Sequence, residues 1–75
     1  MVILMDKDLW KKNKLKYYRK LNDYTQEQMA AIFQISQQNY QRYEKGVVEP
    51  SIGLAIKFAD FYGITVKELC GLAEK

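Results

Sequence analysis

The chain has 75 residues, with 12 Lys or Arg against 9 Asp or Glu for a net charge of +3, a single Cys and no His. That length supports one domain with a modest core, close to the lower limit for a fold held without staples. One cysteine cannot close an internal disulfide, and without His the chain offers neither a Cys/His zinc site nor an imidazole for proton transfer, which suits a protein of the reducing cytoplasm.

Taken in chain order, the opening MVILM is apolar but shorter than the core of a signal peptide. Residues 1–7 are read as a flexible arm, in which 1–4 are either read-through upstream of a start at Met5 or a segment that packs on a neighbour. No run approaches the roughly 18 apolar residues of a membrane span. Residues 8–21 predict a first helix, with Asp8 as its cap. Trp10, Tyr17 and Leu21 fall at helical spacing, with Leu15 and Tyr18 on the neighbouring stripe. The same stretch carries Lys11, Lys12, Lys14, Lys16, Arg19 and Lys20 without an acid, which is either a solvated face or one that feels phosphate. Asn22-Asp23 ends it, since Asn tolerates the left-handed conformation of a C-cap.

Thr25 with Gln28 three residues on has the form of a capping box, so a second helix is placed at about 25–32. Ser36 can cap a third at about 36–44. Only Phe33 to Ile35 remain to reverse direction, which is the layout of a helix-turn-helix. Gly46 permits a left-handed exit, Pro50 cannot sit inside a helix, and Ser51 caps a fourth helix at about 52–62. There Ile52, Ala55, Ile56, Ala59 and Tyr62 form one stripe, and Leu54, Phe58 and Phe61 a second apolar face. Gly63 stops that helix, and Thr65 with Glu68 is another capping box opening a fifth at about 66–72. With no repeats or linkers, the expected architecture is all-α: five short helices around one core in a single domain, 1–75.

The stretch from Thr25 to Glu44 resembles the helix-turn-helix of phage repressor and Cro-like proteins, the xenobiotic-response-element (XRE) family of transcriptional regulators. Counting Gln26 as first, the motif's apolar fourth, eighth, tenth, fifteenth and eighteenth positions hold Met29, Phe33, Ile35, Tyr40 and Tyr43, and its small fifth position holds Ala30. Arg19, Glu44-Lys45-Gly46, Pro50-Ser51, Ala59, Gly63-Ile64-Thr65 and Leu69 match on the flanks. The ninth position, usually a glycine with positive φ, is Gln34. A left-handed conformation there would cost about 1–2 kcal/mol, so the turn is either strained or differently shaped.

The resemblance implies a lambda-repressor-like fold and a sequence-specific regulator, a repressor, that binds double-stranded DNA as a homodimer. The third helix would enter the major groove with its first residues at base edges. That end carries a run of carboxamides that helps neither helix nor core. Gln and Asn can pair with adenine at N6 and N7, and Arg with guanine at O6 and N7. By the resemblance Gln37, Gln38 and Arg42 contact bases, with Asn39 and Gln41 on bases or phosphate. Gln26 would sit on phosphate at a helix N-terminus, with Lys45, Lys16 and Lys20 as further phosphate candidates. Arg19 and Glu44 would form a structural ion pair clamping the first helix to the third.

Ile64, Val66, Leu69, Cys70 and Leu72 exceed what a short last helix needs to dock, and by the resemblance they are assigned to a dimer interface. No phosphate-cradling glycine loop or metal-spaced carboxylate cluster supports catalysis, and Cys70 reads as packing, so an enzyme is not expected. Neither are a cofactor, a membrane partner or a small-molecule ligand. The expected location is the cytoplasm of a bacterium, on the nucleoid when bound, with a chromosomal or phage-encoded gene. The alternative is a protein-interaction module of antitoxin or anti-repressor type on the same fold. Carboxamides and an arginine, rather than exposed apolar residues, on the third helix favour DNA.

Overall fold

The structure, a computed structural model, describes residues 7–72; of the arm expected at 1–7, residues 1–6 lie outside the described residues, and Lys7 belongs to the first helix instead. Six α-helical segments follow in order: α1 (Lys7–Trp10), α2 (Leu15–Leu21), α3 (Gln26–Phe33), α4 (Gln37–Lys45), α5 (Ile52–Tyr62) and α6 (Val66–Leu69). Among the described residues every regular element is a helix, so the fold is all-α. The first of the five expected helices is broken in two, because tertiary bonds claim the backbone between its halves. Lys14 N donates to Leu69 O at 2.7 Å, while Asn13 accepts from Leu15 N at 2.9 Å through Oδ1 and gives its amide to Trp10 O at 3.0 Å. Asn13 therefore opens α2 from one residue outside, a local side-chain bond that competes with continuous helix.

The break changes the phase of burial. Trp10 and Leu15 are completely buried, but Tyr17 and Leu21, expected on the Trp10 stripe, face solvent. Asn22 does not take the left-handed position; Asp23 does, with φ 63°. Asn22 instead turns its amide back onto Tyr18 O at 2.8 Å, satisfying a last-turn carbonyl.

From α3 onward local chemistry sets the helix starts to within a residue. Thr25 and Gln28 form a complete capping box, and Ser36 and Ser51 cap α4 and α5 by accepting from Asn39 N and Leu54 N. Gln34 adopts the left-handed conformation at φ 58°, ψ 43°, so the turn keeps its usual shape and carries the strain of a side chain. Its amide and that of Ile35 still close onto Ala31 O and Ala30 O. The last helix is shorter than expected: α6 stops at Leu69, and Gly71 turns left-handed at φ 80°.

The core holds Trp10, Leu15, Met29, Ala30, Tyr40, Ala55, Phe58, Ala59, Leu69 and Cys70. Phe58 is its centre: the rings of Phe33, Tyr40 and Tyr43 meet it edge-on at 4.7, 6.1 and 6.2 Å, which seats α5 under both halves of the helix-turn-helix. On α5 the buried side is Ala55, Phe58 and Ala59, whereas Ile52 and Ile56 of the expected stripe are exposed.

Candidate nucleic-acid interface

Helix α4 packs against α3 and α2 through Tyr40, Tyr43 and Glu44, and it turns its other side outward. Gln37, Gln38, Asn39, Arg42 and Lys45 are all exposed, while Gln41 is half-buried. Helical spacing aligns Gln38, Arg42 and Lys45 on one row and Gln37 with Gln41 on the next. The row offers amide donors, amide acceptors and a guanidinium, the groups that match base edges in a major groove. Lys16 and Lys20 are exposed on α2.

Beneath this surface lies a buried polar network. Arg19 Nε donates to Glu44 Oε2 at 2.5 Å, with side chains only 10% and 3% accessible. A second guanidinium nitrogen donates to Tyr24 O at 2.9 Å. The hydrogen bond that Arg19 donates to Glu44 holds the Arg19 pKa above its ordinary value, against an opposing desolvation. The hydroxyl of Tyr40 is buried near this carboxylate and makes no hydrogen bond among the described residues. Burial, and then the negative charge of Glu44, push its pKa far up. The same two causes raise Tyr62 to about 12, whose hydroxyl donates to Met29 Sδ at 3.4 Å.

Gln26, expected on phosphate, is part of this network. Its Nε2 donates to Glu44 Oε1 at 3.1 Å, and its Oε1 accepts from Gln41 Nε2 at 3.1 Å. These two glutamines stand at opposite ends of the motif, and only the crossing of α3 over α4 brings them together. No sequence signal reports that contact.

A second feature escaped sequence reasoning. Trp10 Nε1 and Asn13 Nδ2 both donate to Tyr43 O, at 2.8 and 3.1 Å, in the last turn of α4. Gly46, at φ 75°, lies so near the segment between α1 and α2 that a Cβ there would stand 2.8 Å from Lys11 O. The C-terminal end of α4 is thus seated by residues that precede α2. The only tryptophan of the chain, three residues before an asparagine, was the available hint.

The assignment of Leu69 and Cys70 to a dimer interface is corrected: both are buried in the protomer's own core, because the shortened α6 docks through them. Ile64 and Val66 are half-buried, and Leu72 is exposed. Burial also raises the Cys70 thiol pKa, the reverse of what a nucleophile needs. The described residues contain no group of His, Cys, Asp or Glu that could hold a metal ion, and no helix long and apolar enough to cross a membrane.

Residues 15–69 match the helix-turn-helix family. An uncharacterized HTH-type transcriptional regulator of Methanocaldococcus jannaschii is 45% identical over 58 residues, covering 77% of this chain and 88% of the relative. The cryptic phage CTXphi transcriptional repressor RstR of Vibrio cholerae serotype O1 is 40% identical over 60 residues. That match takes in 80% of this chain but only 54% of the repressor. No solved structure matches significantly.

Proposed function

The chain belongs to the helix-turn-helix family of transcriptional regulators, and from that premise we propose that it is a repressor reading a specific duplex sequence with α4. The observation that carries this reading is the exposed face of Gln37, Gln38, Arg42 and Lys45 on a helix whose other side packs on the core. Such side chains add nothing to packing, yet they present the donor and acceptor pairs that adenine and guanine match. Gln37, Gln38 and Arg42 contact base edges, and Asn39 and Gln41 lie at the margins of that contact. Lys45, Lys16, Lys20 and the remaining amide hydrogen of Gln26 hold phosphates, which fix register rather than sequence.

One such helix reads only about four or five base pairs, too few to stand out against a genome of competing sites. The protein therefore works as a homodimer on a palindromic operator, with half-sites about one helical turn apart. Ile64, Val66 and Leu72 supply apolar surface for the partner copy, and Ile52 with Ile56, one turn apart on α5, supply more. The phage repressor among the relatives makes repression the preferred sense of regulation.

The test is selection of bound sequences from random duplex DNA, followed by measurement of mass on the selected duplex. A palindromic consensus bound by two protomers is expected. An unenriched pool refutes sequence-specific binding, and one protomer at saturation refutes the dimer.

A further inference from the structure

We propose that Gln41 reads its base pair with a fixed polarity, as a hydrogen-bond acceptor, because a relay through Gln26 ties its amide to the buried Glu44 carboxylate. The inference rests on α4 being the base-reading helix and adds which chemical group one of its side chains presents.

A free glutamine side chain can turn over about its last bond and exchange its oxygen for its NH2, so it does not by itself choose between a donor and an acceptor on DNA. Here the choice is made from the inside. Glu44 is the ion-pair partner of Arg19, and an ionised carboxylate can only accept. Gln26, at 3.1 Å from Glu44 Oε1, must therefore point its NH2 inward. Its oxygen then faces Gln41, and at 3.1 Å it can only accept, so Gln41 must turn its own NH2 toward Gln26. Reversing either amide would set oxygen against oxygen at hydrogen-bond distance. The relay starts at a guanidinium whose other donor is held by Tyr24 O, so its inner end has no freedom to invert.

Gln41 is half-buried, and its Oε1 has no partner among the described residues. That oxygen is the group left to meet DNA. In a major groove it matches a base that offers a donor, cytosine at N4 or adenine at N6, and it repels guanine O6 and thymine O4. Gln37 and Gln38 are exposed and outside the relay, so they keep the freedom to turn. Arg19, Glu44 and Gln26 are positioning residues in this scheme, acting on base choice through Gln41.

The test uses Gln26→Met, which keeps a flexible side chain of similar length but breaks the relay without touching Arg19, Glu44 or Gln41. Two measurements separate the relay from the DNA-binding reading. In the free protein, the side-chain NH2 resonance of Gln41 should shift in the variant, and its exchange with water should quicken. In selection from random duplex DNA, wild type should prefer cytosine or adenine at one position of each half-site by about tenfold or more. The variant should lose that preference at that position alone and keep the others. An unmoved Gln41 resonance overturns the relay whether or not DNA is bound. An unchanged preference in the variant overturns its role in base choice. A Gln41 resonance that responds in a protein selecting no sequence refutes the DNA-reading premise, and the polarity assignment with it.

Discussion

Replacing Arg19 with methionine tests whether the helix-turn-helix is anchored by charge. The substitution keeps an unbranched apolar stem of similar reach but leaves the Glu44 carboxylate, 3% accessible, with Gln26 Nε2 at 3.1 Å as its remaining side-chain donor among the described residues. Stranding a buried charge in this way costs about 3–5 kcal/mol. A chain of 75 residues has a total stability of about 4–11 kcal/mol at 0.05–0.15 kcal/mol per residue, so R19M should sit at or near its unfolding midpoint at 25 °C. The double variant R19M/E44M removes both charges together and should recover at least half of that loss. A residual deficit of about 1 kcal/mol is expected, because the Gln26 amide loses its acceptor. Urea denaturation followed by circular dichroism on wild type, both singles and the double gives the coupling energy directly. An R19M loss below about 1 kcal/mol, or a double-variant loss equal to the sum of the singles, would refute the claim that a buried pair holds α2 to α4.

The other expectations concern the seat of α4, alkaline stability and DNA. Trp10→Ala should cost about 3–5 kcal/mol for an emptied core site. Trp10→Phe should cost about 1 kcal/mol for a lost hydrogen bond, since Tyr43 O keeps Asn13 Nδ2 as a donor; equal losses in thermal melts would discount the packing. Tyr62 titrates near 12 in the folded chain against an ordinary 10.0, and Tyr40 is raised further. The folded state therefore holds protons that the unfolded state gives up. Stability should be full below pH 10 and fall as pH rises toward 12, with a shallower fall in Y62F; a urea midpoint flat over that range would contradict the burial of these phenols. Q37A and Q38A should each weaken the preferred site by about 1–3 kcal/mol and relax preference at one base pair, whereas K45A should lower the salt slope by about one without changing preference. Uniform weakening on all sequences in competition assays by Q37A and Q38A would remove them from base reading.

Most helix caps, which depend on neighbours a few residues apart, were legible in the chain. Thr25 with Gln28, Ser36, Ser51 and Thr65 with Glu68 are caps whose donors and acceptors lie within one turn, so they placed the starts of α3 to α6 to within a residue. Gly46 and Gly63 marked the left-handed ends of α4 and α5 for the same reason. The motif resemblance put Met29, Ala30 and Tyr40 in the core of the helix-turn-helix, where they are buried, and it left the carboxamides of α4 outside.

Tertiary structure decided whatever depended on groups far apart in sequence. Helical periodicity runs unbroken through residues 8–21, but Leu69 O takes Lys14 N and Tyr43 O takes the Trp10 indole, and those bonds outweigh a weak local preference for helix. The apolar count of the C-terminal segment could not say that Leu69 and Cys70 are covered by their own core, since that depends on where α6 stops. Gln26 and Gln41 are each ordinary polar residues when read singly. Their hydrogen bond, and the polarity that Glu44 imposes on it, exist only where α3 crosses α4, because a carboxamide has no fixed sense until a buried charge gives it one.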